Sequence, residues 1–214
     1  MRLYVYPHSP ISRKVLFAMH EKGLDLELEI LPPYDEPGKA KLRLTYPLAT
    51  VPLLMLDDGS PMPESSIIVE YLDQKFPQEP RLLPRDPELA LRARAFDRVG
   101  DILLEGTAYL AWALRKSATE RHEGKIAKSL ASLRAALAVL ETALASSRCL
   151  VGDDLTLADL GAHCAAASLL ADGTLEGLDA WPNVARWHAS LASRPSWLQV
   201  LADGKDVPMP AGFG

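Results

Sequence analysis

Two serine-containing helix starts carry the residues best suited to chemistry in this chain. Ser9 precedes Pro10 and Ser65 follows Glu64, and each pair stands just before a stretch of helical periodicity. The first turn of a helix presents N–H groups without intrahelical partners, together with the positive end of the helix dipole. Either position can therefore stabilise an anion, although simple capping of the helix also explains both serines.

An apolar run between these helix starts supplies a third element. It extends from Val51 to Met55 and is entered through Val51-Pro52. Proline has no N–H, so a proline before a strand can leave a backbone edge free to pair with a peptide. Combined with the helix start at Glu64-Ser65, this run favours a small, amino-acid-like ligand that carries a carboxylate.

Ser9 is the residue best placed to act on such a ligand. A serine hydroxyl near pH 7 donates a hydrogen bond, so it can stabilise a thiolate but does not attack without an adjacent base. The only base that the local sequence offers is His8, and its side chain points away from that of Ser9 if residues 6–9 remain extended. Lowering a thiol pKa by one or two units from about 8.5 requires only ~1.4–2.7 kcal/mol of preferential anion binding. One oriented hydroxyl and a helix dipole can supply that energy.

Hydrophobic periodicity predicts two domains. Strand, helix and strand alternate over residues 2–31, and a strand, an Asp-Gly turn, a brief strand and a helix follow over 51–75, with at most a short helix at 39–44. This βαβ–ββα order predicts an α/β domain over 1–77 with a parallel strand pair. Prolines mark a linker at 78–87. The four-three spacing of leucines beyond it predicts an all-α bundle over 88–214.

Composition argues against several other classes of protein. The formal net charge is −5 and no basic stripe is present, so a nucleic-acid partner is not expected. The two cysteines have neither a metal-site spacing nor a redox-pair spacing, and no metal is expected. No apolar run reaches the ~18 residues that span a bilayer, and no signal peptide is evident. The chain is therefore expected to be cytoplasmic, without a membrane partner.

The motifs, taken in order, resemble those of the cytosolic glutathione transferases, and the resemblance covers nearly the whole chain. It rests on Ser9-Pro10-Ile11-Ser12-Arg13-Lys14-Val15, Pro47-Leu48-Ala49-Thr50-Val51-Pro52-Leu53, Asp58-Gly59 with Pro63-Glu64-Ser65, and the capping residues Leu155–Asp159. The resemblance implies a thioredoxin-like N-terminal domain and glutathione as co-substrate. It also implies a hydrophobic electrophile as second substrate, a detoxification role and a homodimer.

The resemblance assigns roles to five residues. It implies that Pro52 is cis and that the Val51 backbone pairs with the cysteinyl part of glutathione. Glu64 and Ser65 would hold the γ-glutamyl end, with Ser65 on the carboxylate. Ser9 would activate the thiol, as in the serine-type classes.

Several assignments stay open at this point. Tyr6 and Ser12 are rivals to Ser9 as the activating hydroxyl. Lys39 and Arg13 are candidates for the glycyl end of glutathione. The electrophile pocket is expected between the loop after the first strand and the long helices, with Tyr6, His8, Tyr109 and Trp112 as candidate lining residues.

Two departures from the family pattern keep other functions in view. Tyr46 stands where the family usually has asparagine, and Thr50 where a basic or amide residue is common. These departures favour a non-catalytic, transferase-like interaction module. A glutathione-dependent isomerase or dehalogenase on the same scaffold is the other alternative to a transferase.

Overall fold

The computed structural model describes residues 1–78, 80–171 and 177–209. These residues form two compact units. The first unit comprises Met1–Leu82 and the residues from Arg194 onward, and the second comprises Leu83–Ser193. Residue 79 of the predicted linker, and residues 172–176 and 210–214 of the predicted helical domain, lie outside the described residues.

The secondary-structure elements are given in chain order. Those of the N-terminal part are β1 (Arg2–Val5), α1 (Pro10–Glu21), β2 (Glu27–Ile30), α2 (Glu36–Thr45), β3 (Leu53–Met55), β4 (Pro61–Pro63) and α3 (Ser65–Lys75). The later helices are α4 (Pro87–Leu114), a 3₁₀ turn (Ala118–Glu120), α5 (Glu123–Ala143), α6 (Leu157–Ala171), α7 (Pro182–Ala192) and α8 (Pro195–Asp203). No helix among the described residues is long and apolar enough to cross a membrane.

The four strands form one mixed sheet in the order β2-β1-β3-β4. β1 is parallel to β2 and antiparallel to β3, and β3 is antiparallel to β4. This topology confirms the predicted βαβ–ββα order and the thioredoxin-like fold. Leu53, at the start of β3, pairs with Tyr4 on one side and Pro63 on the other, which fixes the register of both ladders.

A buried ion pair joins the C-terminal end of α1 to α3. The Lys22 ammonium group is 2.9 Å from the Asp73 carboxylate of α3, and both side chains are fully buried. The same ammonium donates to the carbonyls of Gln78 and Pro80, at 3.0 and 2.9 Å. The Asp73 carboxylate also pairs with Arg81 at 3.0 Å and accepts from the Leu82 N–H at 2.9 Å, so these contacts together fix the chain where it leaves α3.

α8 belongs to the first unit, whereas the sequence pattern places it in the helical domain 88–214. The Trp197 ring packs on Phe17 of α1 at 5.4 Å between centroids. The Arg194 guanidinium donates twice to the Glu21 carboxylate, at 2.6 and 2.7 Å. Amphipathic spacing shows that a helix buries one face but does not show which surface covers that face. The pattern therefore finds the helix without assigning it to a unit.

The second unit is a helical bundle whose packing depends on small residues in α4. An added Cβ on Gly100 would lie 2.9 Å from the backbone nitrogen of Ala162 in α6, and Ala93 and Thr107 of α4 are also buried. The stripe of small residues therefore admits a neighbouring helix. Leu133, Leu137 and Leu140 of α5 are buried as their spacing predicts, and Leu130 is half-buried.

Candidate active site

Three segments that carry predicted site residues adjoin the sheet at one end. β1 runs into the loop that carries Ser9, β3 begins directly after Val51-Pro52, and β4 leads to Glu64-Ser65. Because β3 is antiparallel to both neighbours, its first residue, Leu53, pairs with Tyr4 near the end of β1 and with Pro63 at the end of β4. The topology therefore brings the three predicted motifs to the same edge of the first unit.

The Val51-Pro52 segment supplies an unpaired stretch of backbone. The peptide bond between these residues is cis, which confirms the expectation from the resemblance. The Val51 side chain is buried in a cluster with Tyr6 and Leu53. Its N–H and C=O have no hydrogen-bond partner among the residues that the structure describes. Since buried backbone groups are nearly always paired, this edge is suited to receive a peptide-like ligand.

The start of α3 is open. Glu64 is the N-cap residue but makes no side-chain capping bond, and its φ of +71° is one that L-residues rarely adopt. Over the described part of the chain, neither the N–H nor the hydroxyl of Ser65 has a hydrogen-bond partner. A strained residue before an uncapped helix start marks a candidate binding site for a carboxylate.

Ser9 caps α1 and keeps a hydrogen to donate. Its Oγ accepts from the Ser12 N–H at 3.5 Å, and the side chain is partly exposed. The Ser9 N–H donates to the Tyr6 carbonyl at 2.8 Å, so residues 6–9 form a turn and are not extended. Because the Ser9 oxygen acts here as acceptor, the hydroxyl hydrogen remains available for an anion.

The two rival hydroxyls are less accessible to a ligand, that of Tyr6 because it is already donated and that of Ser12 because it is buried. The Tyr6 hydroxyl donates to the Pro208 carbonyl at 3.0 Å and accepts from the Tyr34 hydroxyl at 3.2 Å. Burial, followed by the bond with Tyr34, raises the pKa of Tyr6 well above its usual value. Ser12 is fully buried, and its Oγ accepts from the Tyr6 N–H at 3.2 Å.

The candidates for the glycyl end are both engaged locally. The Arg13 Nε donates to the Pro7 carbonyl at 2.7 Å. The Lys39 ammonium, on α2, lies 3.7 Å from the Glu36 carboxylate one turn earlier. Their role toward a ligand stays a prediction.

Two of the predicted electrophile-pocket residues lie on α4 in the second unit. The Tyr109 and Trp112 rings are 5.9 Å apart, and the Lys116 ammonium lies 3.9 Å above the Trp112 ring. Tyr109 also lines a shallow groove of about 320 Å³ between α4 and α5, together with Lys125 and Lys128. His8, in the first unit, has its Nε2 2.7 Å from the Val207 carbonyl.

The sequence reasoning missed two participants in this region, Tyr34 and the segment around Pro208. Tyr34 lies in a proline-rich loop and Pro208 near the end of the chain, and both reach Tyr6. Tyr6 and Pro208 are 202 positions apart, and a local sequence pattern does not predict a contact over that distance. No group of three or more His, Cys, Asp or Glu side chains that could hold a metal occurs within the described ranges.

Comparison with known proteins identifies the family. Residues 3–80 match the family model of the glutathione S-transferase N-terminal domain, and residues 104–195 match that of the C-terminal domain. The chain is 32% identical to a probable maleylacetoacetate isomerase from Caenorhabditis elegans, covering 95% of this chain and 94% of that protein. It is 31% identical to glutathione S-transferase F6 from Arabidopsis thaliana, covering 94% of this chain and 99% of that protein.

A solved structure adds a likeness in three dimensions. It is a glutathione S-transferase from Methylobacterium radiotolerans in complex with glutathione sulfonate, at 30% identity and a TM-score of 0.83, with 93% of each chain covered. The thioredoxin-like sheet, the helical second unit and these matches agree. The chain therefore belongs to the glutathione S-transferase family.

Proposed function

We propose that this protein binds glutathione at the sheet end formed by Val51, Glu64-Ser65 and Ser9, and adds its thiolate to an electrophilic carbon. The observation that carries the proposal is the meeting of three unused groups at that end. These are the Val51 backbone edge, the open start of α3 and the donor hydrogen of Ser9. A γ-glutamyl tripeptide with a thiol matches the three in order.

Each part of glutathione has a partner of suitable chemistry. The Val51 N–H and C=O can pair with the cysteinyl backbone, as in the addition of a short strand. The Ser65 N–H and hydroxyl can donate to the γ-glutamyl carboxylate, aided by the dipole of α3. The Glu64 carboxylate can accept from the ammonium group of the same residue. The relative in complex with glutathione sulfonate supports a ligand of this class.

The Ser9 hydroxyl supplies the chemical activation. By donating to the sulfur it binds the thiolate in preference to the thiol, which lowers the thiol pKa by one unit for each ~1.4 kcal/mol of that preference. Tyr6 is a poorer candidate because its hydroxyl hydrogen is already donated to the Pro208 carbonyl, and Ser12 is a poorer candidate because its side chain is fully buried. Rate enhancement then comes from thiolate formation and from holding the two reactants together.

The direct test is Ser9→Ala, assayed with glutathione and a panel of electrophiles. We expect turnover to fall by roughly tens to hundreds of fold, while calorimetry shows glutathione binding to be retained. Ser60→Ala, in the exposed hairpin turn, is the matched control and should leave turnover unchanged. An unchanged rate in Ser9→Ala would move the role to Tyr6 or Ser12. A wild-type protein that shows no binding at millimolar glutathione would remove the proposal and leave the interaction module.

A glutathione-dependent isomerase is the second candidate. It is favoured by the 32% identity to the probable maleylacetoacetate isomerase, which extends over 95% of this chain. Isomerisation uses the same activated thiolate, but the adduct then rotates and releases the thiolate instead of keeping the new bond. A panel that includes cis-configured unsaturated diacids, halogenated substrates and aryl or alkyl electrophiles separates isomerase, dehalogenase and transferase.

We further propose that the active protein is a homodimer and that Tyr109 and Trp112 contact the hydrophobic electrophile. The family resemblance supports the dimer. Sedimentation velocity tests the dimer. Trp112→Ala should raise KM for the electrophile and leave that for glutathione unchanged.

A further inference from the structure

The segment Gly204–Met209, named here the C-terminal strap, follows α8 and contacts the loop that carries Ser9. Its first anchor is His8, whose Nε2 lies 2.7 Å from the Val207 carbonyl. A carbonyl oxygen can only accept, so the Nε2 atom carries the proton and His8 donates. The imidazole is thereby fixed in one tautomer and one orientation, next to Ser9 in the chain.

The second anchor is the Tyr6 hydroxyl on the Pro208 carbonyl. Tyr6 donates to that carbonyl at 3.0 Å, and the Tyr34 hydroxyl, which donates to Tyr6, lies 3.4 Å from the same oxygen. The Tyr6 ring meets the rings of His8 and Tyr34 edge-on, each at 5.3 Å between centroids. Val207 packs against the apolar cluster that contains Tyr6. The strap is therefore held by hydrogen bonds and by apolar packing.

The strap also lies in close contact with the loop itself. A Cβ added at Gly204 would be 3.3 Å from Pro7 Cβ and 3.6 Å from His8 Cε1. From the other side, the Arg13 guanidinium donates to the Pro7 carbonyl at 2.7 Å. The turn Tyr6–Ser9 is thus fixed at its first three residues, and its fourth residue is Ser9 itself.

We propose that the C-terminal strap positions the Ser9 hydroxyl, with Tyr6 and His8 as positioning residues. The inference rests on the proposed function, because it assigns the strap a role in thiol activation at that same site. The Ser9 N–H bonds to the Tyr6 carbonyl, so a movement of Tyr6 or His8 displaces Ser9. Displacements of about 1 Å are enough to reduce turnover severely in a preorganised site. The strap also commits the Tyr6 hydroxyl to Pro208.

Release of the strap should therefore affect activation more than binding. The groups proposed to hold glutathione lie just before β3 and at the start of α3, and none of them is hydrogen-bonded to residues 204–209 in the described part of the chain. We expect the pKa of the bound thiol to rise toward its free value and kcat to fall. The dissociation constant of glutathione should change little.

The test uses the full chain with His8→Leu, Tyr6→Phe and the double variant. Hydrogen exchange of the Lys205 and Val207 amides reports the strap, and an ultraviolet pH titration of bound glutathione reports the thiol pKa. In the double variant we expect faster exchange, a higher thiol pKa and a kcat reduced about tenfold or more, with glutathione affinity within about twofold. His8→Gln, which keeps a donor, should restore part of the activity.

Tyr46→Phe is the matched control, since Tyr46 packs against the same apolar cluster and its hydroxyl is not bonded to the strap in the described structure. It should leave exchange, thiol pKa and kcat unchanged. If the double variant unfolds, the single variants carry the same comparison. Faster exchange with unchanged thiol pKa and kcat would overturn the proposal, as would unchanged exchange. In both cases the wild type still binds and turns over glutathione, whereas failure of the proposed function appears as a wild type that does neither.

Discussion

The starts of α6 and α3 are built in opposite ways. At α6 the buried Asp159 carboxylate accepts from the Leu150 N–H, the Thr156 N–H and the Trp187 Nε1, each at 2.9 Å, and from the Thr156 hydroxyl at 3.0 Å. At α3 no side chain caps the helix, and Ser65 has no internal partner in the described structure. Both sequences contain an acidic residue and a hydroxyl residue near the helix start, so composition alone does not separate them.

The difference shows where the chain uses its polar groups for folding and where it leaves them for a ligand. Asp159 lies inside the first turn of α6, and its short side chain reaches back to the preceding backbone. Glu64 lies one residue before α3 at a positive φ, and its side chain makes no bond to the helix. The closed start therefore stabilises the second unit, while the open start keeps donors available at the proposed glutathione site.

The strongest test of the closed start is Asp159→Ala. It leaves several N–H and O–H donors without their acceptor in a buried site, so we expect the unfolding free energy to fall by about 3 kcal/mol or more. Chemical denaturation measures the loss. Asp86→Ala is the control, because Asp86 caps α4 through the N–H groups of Glu88 and Leu89 in an exposed position and should cost only about 1 kcal/mol. Equal losses in the two variants would contradict the comparison.

The region around the closed start should also make the protein sensitive to acid. His163 is buried against Trp187 and His188, and burial, followed by the charge of His188, lowers the pKa of His163 to about 3. Below pH ~6.5 His163 binds a proton in the unfolded chain but stays neutral in the folded protein. The free energy of unfolding therefore falls by up to ~1.4 kcal/mol per pH unit. The loss begins near pH ~6.5 and continues toward the folded-state pKa of about 3.

Denaturation at a series of pH values from about 7.5 to about 5, a range above most carboxylate titrations, measures this slope. His163→Leu should reduce the slope and leave the contribution of His188, whose pKa is also lowered by burial. His122→Ala, at an exposed position, should leave the slope as in the wild type. A slope unaffected by His163→Leu would show that other groups carry the acid sensitivity.

The open start is tested by two neighbouring serines. Ser65→Ala should weaken glutathione binding about tenfold through loss of one hydrogen bond to a carboxylate, with little change in stability. Ser66→Ala should lower stability and leave glutathione binding nearly unchanged, because the Ser66 hydroxyl accepts from the buried Lys14 ammonium at 2.7 Å. Calorimetry and thermal unfolding of both variants give the binding and stability changes. Binding losses of the same size would show that α3 is merely being destabilised.

The smallest expected effect concerns the strain at Glu64. Glu64→Gly relieves the positive φ and should stabilise the protein by about 1 kcal/mol while lowering glutathione affinity. Ala49→Gly is matched to it, since Ala49 also has a positive φ, of 51°. That variant should gain stability without a loss of affinity. A Glu64→Gly protein that binds glutathione as tightly as the wild type would contradict the role of this side chain.

Local sequence patterns predicted which strands and helices are present, but they predicted the first and last residues of those elements poorly. The alternation and helical spacing predicted the strands and helices of the sheet unit up to α3, with α2 only as a short helix at 39–44, whereas it spans Glu36–Thr45. The apolar run predicted that the third strand begins at Val51, whereas β3 spans Leu53–Met55. Strand ends depend on which residues find a partner, and that is a property of the neighbouring chain. α2 begins at Glu36 because the Asp35 carboxylate accepts from the Gly38 N–H at 2.7 Å, a capping signal that the pattern of apolar residues does not contain.

The sequence by itself determined the order of the elements, the succession of a sheet part and a helical part, and the three motifs of the proposed site, because these depend on local periodicity and on residue types at short spacing. It did not assign α8 to its unit. Only the tertiary structure decided which rival hydroxyls are already used or buried. The sequence favours Ser9 and leaves Tyr6 and Ser12 as rivals, and the structure weakens both, because Tyr6 is bonded to Tyr34 and Pro208 from distant parts of the chain and Ser12 is fully buried. Whether a polar group is available to a ligand depends on whether another part of the fold has already bonded it, and spacing along the chain does not contain that information.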